Sequence, residues 1–392
     1  MSNTSGGATN FEALLASKEI LVCAGSGGVG KTTTAAAAAA MAAVDLGGRV
    51  LVITVDPARR LATALGLEAF GNTETRVPES AFAEAGVEPR GELWAAMLDT
   101  RQSWDDLIRR HAPDDETRDA ILANPIYQNI AGRFIQSHDY IAMERLYELH
   151  SSGRYDLIIV DTPPSRNAVD FLEAPDRMAE FFASRLLRWL IAPSRSRVLT
   201  LASKPFYTIA DRILGSQFLS DIAEFFILFQ SMHEGFVERA EAVARILTDE
   251  RTTFCVVSTL ESGPLTEAKW FVELLHEGDH HLGAIVLNKV LPASLRQSGG
   301  VAAATRLTDE IDTLAPELAS SLDVTEKRAR RLVKELAENY LRMRVVATRE
   351  GELAANVGRS AEIVATVPHH DQDIADLTGL LWIGEQLWAS RI

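Results

Sequence analysis

Residues 19–33 read EILVCAGSGGVGKTT, an apolar β-branched run, then a glycine-rich loop, then the start of a helix whose next residues are alanines. The loop fits G-x-x-x-x-G-K-[ST] from Gly25 to Thr32, and its setting between strand and helix gives the motif its weight. Glycines let the main chain turn successive N–H groups inward, and the helix N-terminus adds a partial positive charge. The spacing therefore predicts a phosphate cradle made by Gly27, Gly28, Val29 and Gly30. Lys31 is expected to reach the β- and γ-phosphates, Thr32 to ligate Mg²⁺, and Thr33 to touch the α-phosphate.

Further strand-like runs follow at 49–55, 93–98, 156–160, 252–258, 283–288 and 362–367, with helical stretches between them. Several are apolar on both faces, as central strands of a covered parallel sheet are. The fold class is α/β, a doubly wound, mostly parallel sheet in one domain over 1–392. Three helical stretches break the rhythm. Residues 101–150 and 170–250 are expected to form a helical insertion subdomain, and 292–345 a further helical insertion. The alanines at 35–40 combine helix propensity with close packing on the sheet, and Gly47 and Gly48 end that helix.

Two carboxylates terminate strands on the side where ligands bind open α/β sheets. Asp161 follows LIIV and is expected to hold Mg²⁺ directly or through water. Asp56 follows VITV and is expected to orient an attacking water, although Asp-Pro also suits a plain turn.

Together these elements resemble the ArsA/Get-type ATPases, of the deviant Walker-A class of P-loop proteins, and look most like the actinobacterial ArsA-like members. The matching segments are GSGGVGKTTT at 25–34, TVDPA at 54–58, VDTPPSRNAVDFLEAP at 160–175, TTFCVVSTLESGPLTEA at 252–268 and VLNKV at 286–290. The resemblance implies an ATPase using ATP and Mg²⁺. It makes Asp56 the hydrolytic aspartate of the first switch and 161–170 the second switch. Asn288 would read the adenine edge, a role that an amide's paired donor and acceptor suit, and Pro368 would line the adenine pocket. It also implies a dimer around the nucleotides, whose helical subdomain serves an apolar helix client or a membrane transporter.

The departures carry information. Where the family loop has a lysine that acts across a dimer interface, this chain has Ser26. A charge supplied in trans to a transferring phosphoryl group is worth roughly 10³–10⁵ in rate. Three outcomes stay open: pairing with a related subunit that keeps the lysine, the favoured one over a homodimer; replacement of the charge by Arg59, Arg60 or Arg166; or slow hydrolysis, with the nucleotide setting conformation. The family's metalloid-binding cysteines and its CxxC zinc pair are missing, since only Cys23 and Cys255 occur, each in an apolar run that suits a reduced core thiol.

A net charge of −15 argues against nucleic acid as a partner. Lack of a signal pattern or a long apolar run leads to the expectation of a cytoplasmic protein. Within 170–250, Phe218, Ile222, Phe225, Phe229, Met232 and Phe236 form a helical stripe that fits either a closed core or a client groove.

Overall fold

The computed structural model of this chain describes residues 10–55, 60–67, 71–130, 137–162, 233–357 and 361–390, with scattered positions between 172 and 228. The strands are β1 Ile20–Ala24, β2 Arg49–Thr54, β3 Thr75–Arg76, β4 Glu92–Met97, β5 Leu157–Asp161, β6 Thr252–Ser258, β7 Leu282–Val290 and β8 Ile363–Pro368. They form one sheet in the order β3-β4-β2-β5-β1-β6-β7-β8. Every neighbouring pair is parallel except β3 with β4. The runs with an apolar centre became the fully buried strands β1, β5 and β6. The short edge strand β3 carries no hydrophobic run, which is why the sequence did not announce it.

The helices are α1 Phe11–Ala16, α2 Lys31–Met41, α3 Arg60–Ala64, α4 Glu79–Glu84, α5 Thr100–His111, α6 Asp115–Ala123, α7 Pro125–Ile130 and α8 Ser137–Ser151. They continue with α9 His233–Leu247, α10 Ser262–Glu277, α11 Ser298–Asp309, α12 Ile311–Leu322, α13 Glu326–Val357 and α14 Leu377–Trp388. Alternate side chains of each central strand enter opposite cores. Ile20, Val22, Ile158 and Val160 pack with Ile108, Tyr140, Met143, Val243 and Phe271. Leu21, Cys23, Val52 and Ile159 pack with the alanines of α2 and with Leu380 and Leu387 of α14. This is the doubly wound arrangement, with helices covering both faces.

Ala35 to Ala40 are all completely buried. Methyl side chains let α2 sit against the sheet on one side and α14 on the other. The contact with α14 is closest at Gly384, where an added Cβ would come within 1.9 Å of Met41 Cγ and 3.1 Å of the Ala37 carbonyl oxygen. Past Met41 the helix loosens into a π turn over Ala42–Leu46 and then stops at Gly47 and Gly48, both at positive φ.

Cys23 and Cys255 are buried free thiols, side by side in the β1–β6 register. Their mutual contact and burial push the Cys23 thiol well above its ordinary pKa. Of the apolar stripe expected between 218 and 236, Phe225 is the member whose side chain is described. It is buried in the core that includes α5 and α8. Phe236 falls in α9, and the remaining members of that stripe lie outside the described residues. The third helical stretch runs further than expected, since α13 continues to Val357, which joins the sheet core.

A cavity of about 370 Å³ lies among α5, α8 and α9. Its guanidinium groups are already paired. Arg110 meets Glu148, Arg145 meets Glu148 at 2.7 Å, and Arg239 meets Glu144. His111, at the cavity wall and still open to solvent, is lowered to about 4 by partial desolvation and by the like charges of Arg239 and Arg110. The unfolded chain then takes up this proton at higher pH than the folded one, so this site favours unfolding as pH falls from about 6.5 towards 4. Denaturant midpoints measured over that window should fall with pH in the parent and fall less in His111→Gln. Separately, Gly384→Val should cost about 1–3 kcal/mol through overpacking, read as a lowered denaturant midpoint.

Candidate functional site

The loop between β1 and α2 lies at the C-terminal edge of the sheet. Strand register decides what surrounds it. Cys23 stands opposite Asp161, and Asp161 stands opposite Thr54, so the ends of β1, β5 and β2 are level. Asp161 is 1% exposed. Its Oδ2 accepts a hydrogen bond from Thr32 Oγ1 at 2.6 Å and another from Thr54 Oγ1 at 2.9 Å. The next residue, Thr162, donates its hydroxyl to the Cys23 carbonyl at 2.8 Å. The last strand residue of one crossover and the first turn of another helix thus meet on one carboxylate oxygen.

Lys31 opens α2 and is almost fully buried. Its Nζ donates to the Ser26 carbonyl at 3.0 Å, folding the ammonium group back over the loop. A lysine in the first turn of a helix opposes the helix dipole, and this turn carries no acidic residue and no side-chain cap. A sequence that breaks its local preference in this way has prepared for an anion at the same place. Ser26 is 7% exposed, and its Oγ lacks a hydrogen-bond partner among the described residues. A buried hydroxyl with nothing to bond is unfavourable until something polar reaches it. The Thr32–Asp161 pair offers the one or two protein oxygens on which Mg²⁺ sits when phosphates and waters complete its shell. The donor set therefore fits a magnesium–polyphosphate ligand.

Asn288, in β7, is 8% exposed and donates Nδ2 to the Val29 carbonyl at 2.7 Å. Its Oδ1 accepts the Lys289 N–H at 2.9 Å. Gly30 leaves no room for anything larger beneath this amide. Its φ is 96°, and an added Cβ would fall 2.3 Å from Asn288 Nδ2. Pro368 ends β8 opposite Val290, so it lies on the same rim as Asn288. Thr33 is half-buried in the first turn of α2.

The fold thus brings together Gly27, Gly28, Val29, Gly30, Lys31, Thr32, Thr33, Asp161 and Asn288, with Pro368 on the rim. Asp56 and the candidate replacements Arg59 and Arg166 lie outside the described residues, as does the side chain of Arg60. Val55, just before Asp56, donates its N–H to the Asp161 carbonyl at 3.3 Å. Two participants went unread in the sequence, Thr54 and Lys289. Thr54 had a signal, a hydroxyl ending a buried strand one residue short of the Asp-Pro turn.

A doubly wound sheet with a glycine cradle opening its α2 helix defines a P-loop nucleotide-binding protein. Residues 18–315 match the family model of the anion-transporting ATPases, and the chain belongs to that family. It is similar to a Chlorobaculum tepidum protein named "Putative arsenical pump-driving ATPase", with 25% identity over 284 residues, covering 70% of this chain and 62% of that one. The likeness to the Prosthecochloris vibrioformis protein of the same name has the same extent. ATPase get3 of Aspergillus terreus is 26% identical over 269 residues, covering 68% of this chain and 72% of its own length. The chain thus spans somewhat less than two thirds of the arsenical-pump relatives.

Thr54→Val keeps the side-chain volume and removes one of the hydroxyls on the buried Asp161 carboxylate. It should lower stability by about 1–3 kcal/mol, measurable by chemical denaturation.

Proposed function

We propose that the chain is a Mg·ATP-binding ATPase that works as a dimer. The observation that supports this most is the convergence of Lys31, Thr32–Asp161 and Asn288 on one glycine loop. Lys31 and the loop amides would bind the β- and γ-phosphates. Thr32 and Asp161 would hold Mg²⁺, which when bound draws charge from the phosphate oxygens. Asp56 would orient the attacking water and hold it in line. Asn288 would keep its contact with Val29 and offer its second N–H and its remaining carbonyl lone pair to the adenine edge.

Membership of the anion-transporting ATPase family and likeness to a relative named as an ATPase support turnover, while the dimer and the apolar protein client rest on the resemblance of the motifs to the ArsA/Get-type ATPases. We assign the cycle to opening and closing of the helical segments over 101–150 and 170–250, with a helix client or a membrane transporter as the partner. Among the described residues no helix is long and apolar enough to cross a membrane. The partner subunit favoured by Ser26 is a related ATPase that keeps the loop lysine, making a heterodimer. Ser26 also supports a second reading, a nucleotide-gated regulatory subunit with little turnover.

Lys31→Ala should weaken Mg·ATP binding about a hundredfold or more, ~3 kcal/mol, by titration calorimetry. Asp56→Asn should bind as the parent does but lose phosphate release. Equal hydrolysis by the chain alone and by its mixture with a lysine-bearing paralogue would rule out the heterodimer, and negligible release from both would favour the regulatory reading.

A further inference from the structure

Among the described residues, three that are not glycine have positive φ: Asp279, Lys289 and Asp323. The two aspartates follow helix ends, where a short polar side chain tolerates the left-handed region. Lys289 has no such excuse. It lies near the end of β7 at φ 58°, where the register with β8 shifts between Leu287 and Val290. Left-handed backbone in a long side chain is held by its surroundings, and such strain gathers at functional sites.

What the turn achieves is an aim. Asn288 Oδ1 closes it by accepting the Lys289 N–H, and the Lys289 ammonium group then donates to the Gly28 carbonyl at 3.3 Å. Asn288 itself takes the next carbonyl, that of Val29. In a trans peptide the carbonyl and the following N–H point in opposite directions. Holding the carbonyls of Gly28 and Val29 from β7 therefore turns the N–H groups of Val29 and Gly30 the other way. Two adjacent peptide groups of the loop are set by two adjacent side chains of one strand. The Lys289 side chain is exposed, so its charge stands at the open side of the loop while Lys31 lies buried beneath it.

We propose that Lys289 is a positioning residue of the nucleotide site, a second ammonium group supplied by the same chain, which fixes the Gly28–Val29 peptide for a polyphosphate ligand and adds positive charge to the loop that carries Ser26. The inference rests on the reading of the loop as a nucleoside triphosphate site. It differs from the arginine replacements and from a lysine acting across a dimer, because the cation comes from β7 in cis.

The test is calorimetry of Mg·ATP and Mg·ADP with the full chain, its Lys289→Met and Lys289→Gly variants, and a thermal melt of each. Lys289→Met should weaken both nucleotides about tenfold and flatten the dependence of binding on salt. Lys289→Gly should weaken them equally while melting no lower than the parent, because glycine adopts the left-handed region without strain. Lys289→Arg should keep most of the affinity. Binding by Lys289→Met within twofold of the parent would overturn the inference and leave the nucleotide site standing. So would a Lys289→Gly chain that melts several degrees lower, which would make the side chain a structural brace. A parent chain giving no heat with either nucleotide would sink both.

Discussion

The buried carboxylate of Asp161 is the joint on which the site depends. It stands at the end of β5, and two hydroxyls, from β2 and from the first turn of α2, share one of its oxygens. A charge this deeply enclosed is unfavourable unless hydrogen bonds answer it. The answer here ties three separate crossovers to one point. It also settles where the glycine loop can run, because Thr32 is the first residue after Lys31 and cannot move without dragging the loop. The remaining geometry follows from parallel register, which holds the strand ends level.

Much of this was legible in the residues. The loop was readable because each of its parts is chemically demanding: glycine for the turn, lysine for charge, threonine for oxygen. The strands were readable because β1, β5 and β6 are apolar on both faces, a pattern that only a doubly covered sheet tolerates. Asp161 was readable from its place at the end of such a strand. β3 escaped because two residues carry no period. Thr54 and Lys289 escaped for a different reason. Their significance comes from which strand lies beside which, and pairing across more than a hundred residues leaves no local trace. Lys289 in particular owes its aim to one backbone angle, which composition does not encode.

The overall acidity of the chain and the cationic loop are compatible because the loop's positive character is short-ranged. Main-chain amides, one buried ammonium group and a second at the mouth create a local field that the −15 of the whole protein barely reaches through salt water. Ser26 fits the same economy. The side chain is small, buried and without a hydrogen-bond partner among the described residues, so it brings a polar hydroxyl and no charge of its own to the cradle.

The alanine helix behind the loop has a mechanical meaning. Methyl groups have no rotamers to exchange, so a shaft clad in them cannot soak up a displacement by reshuffling side chains. The same close packing makes α2 stiff up to Met41, where the winding loosens over Ala42–Leu46. A displacement of the loop would be carried along α2 and shared with the strands and α14 packed against it, with the π turn at Ala42–Leu46 at its far end.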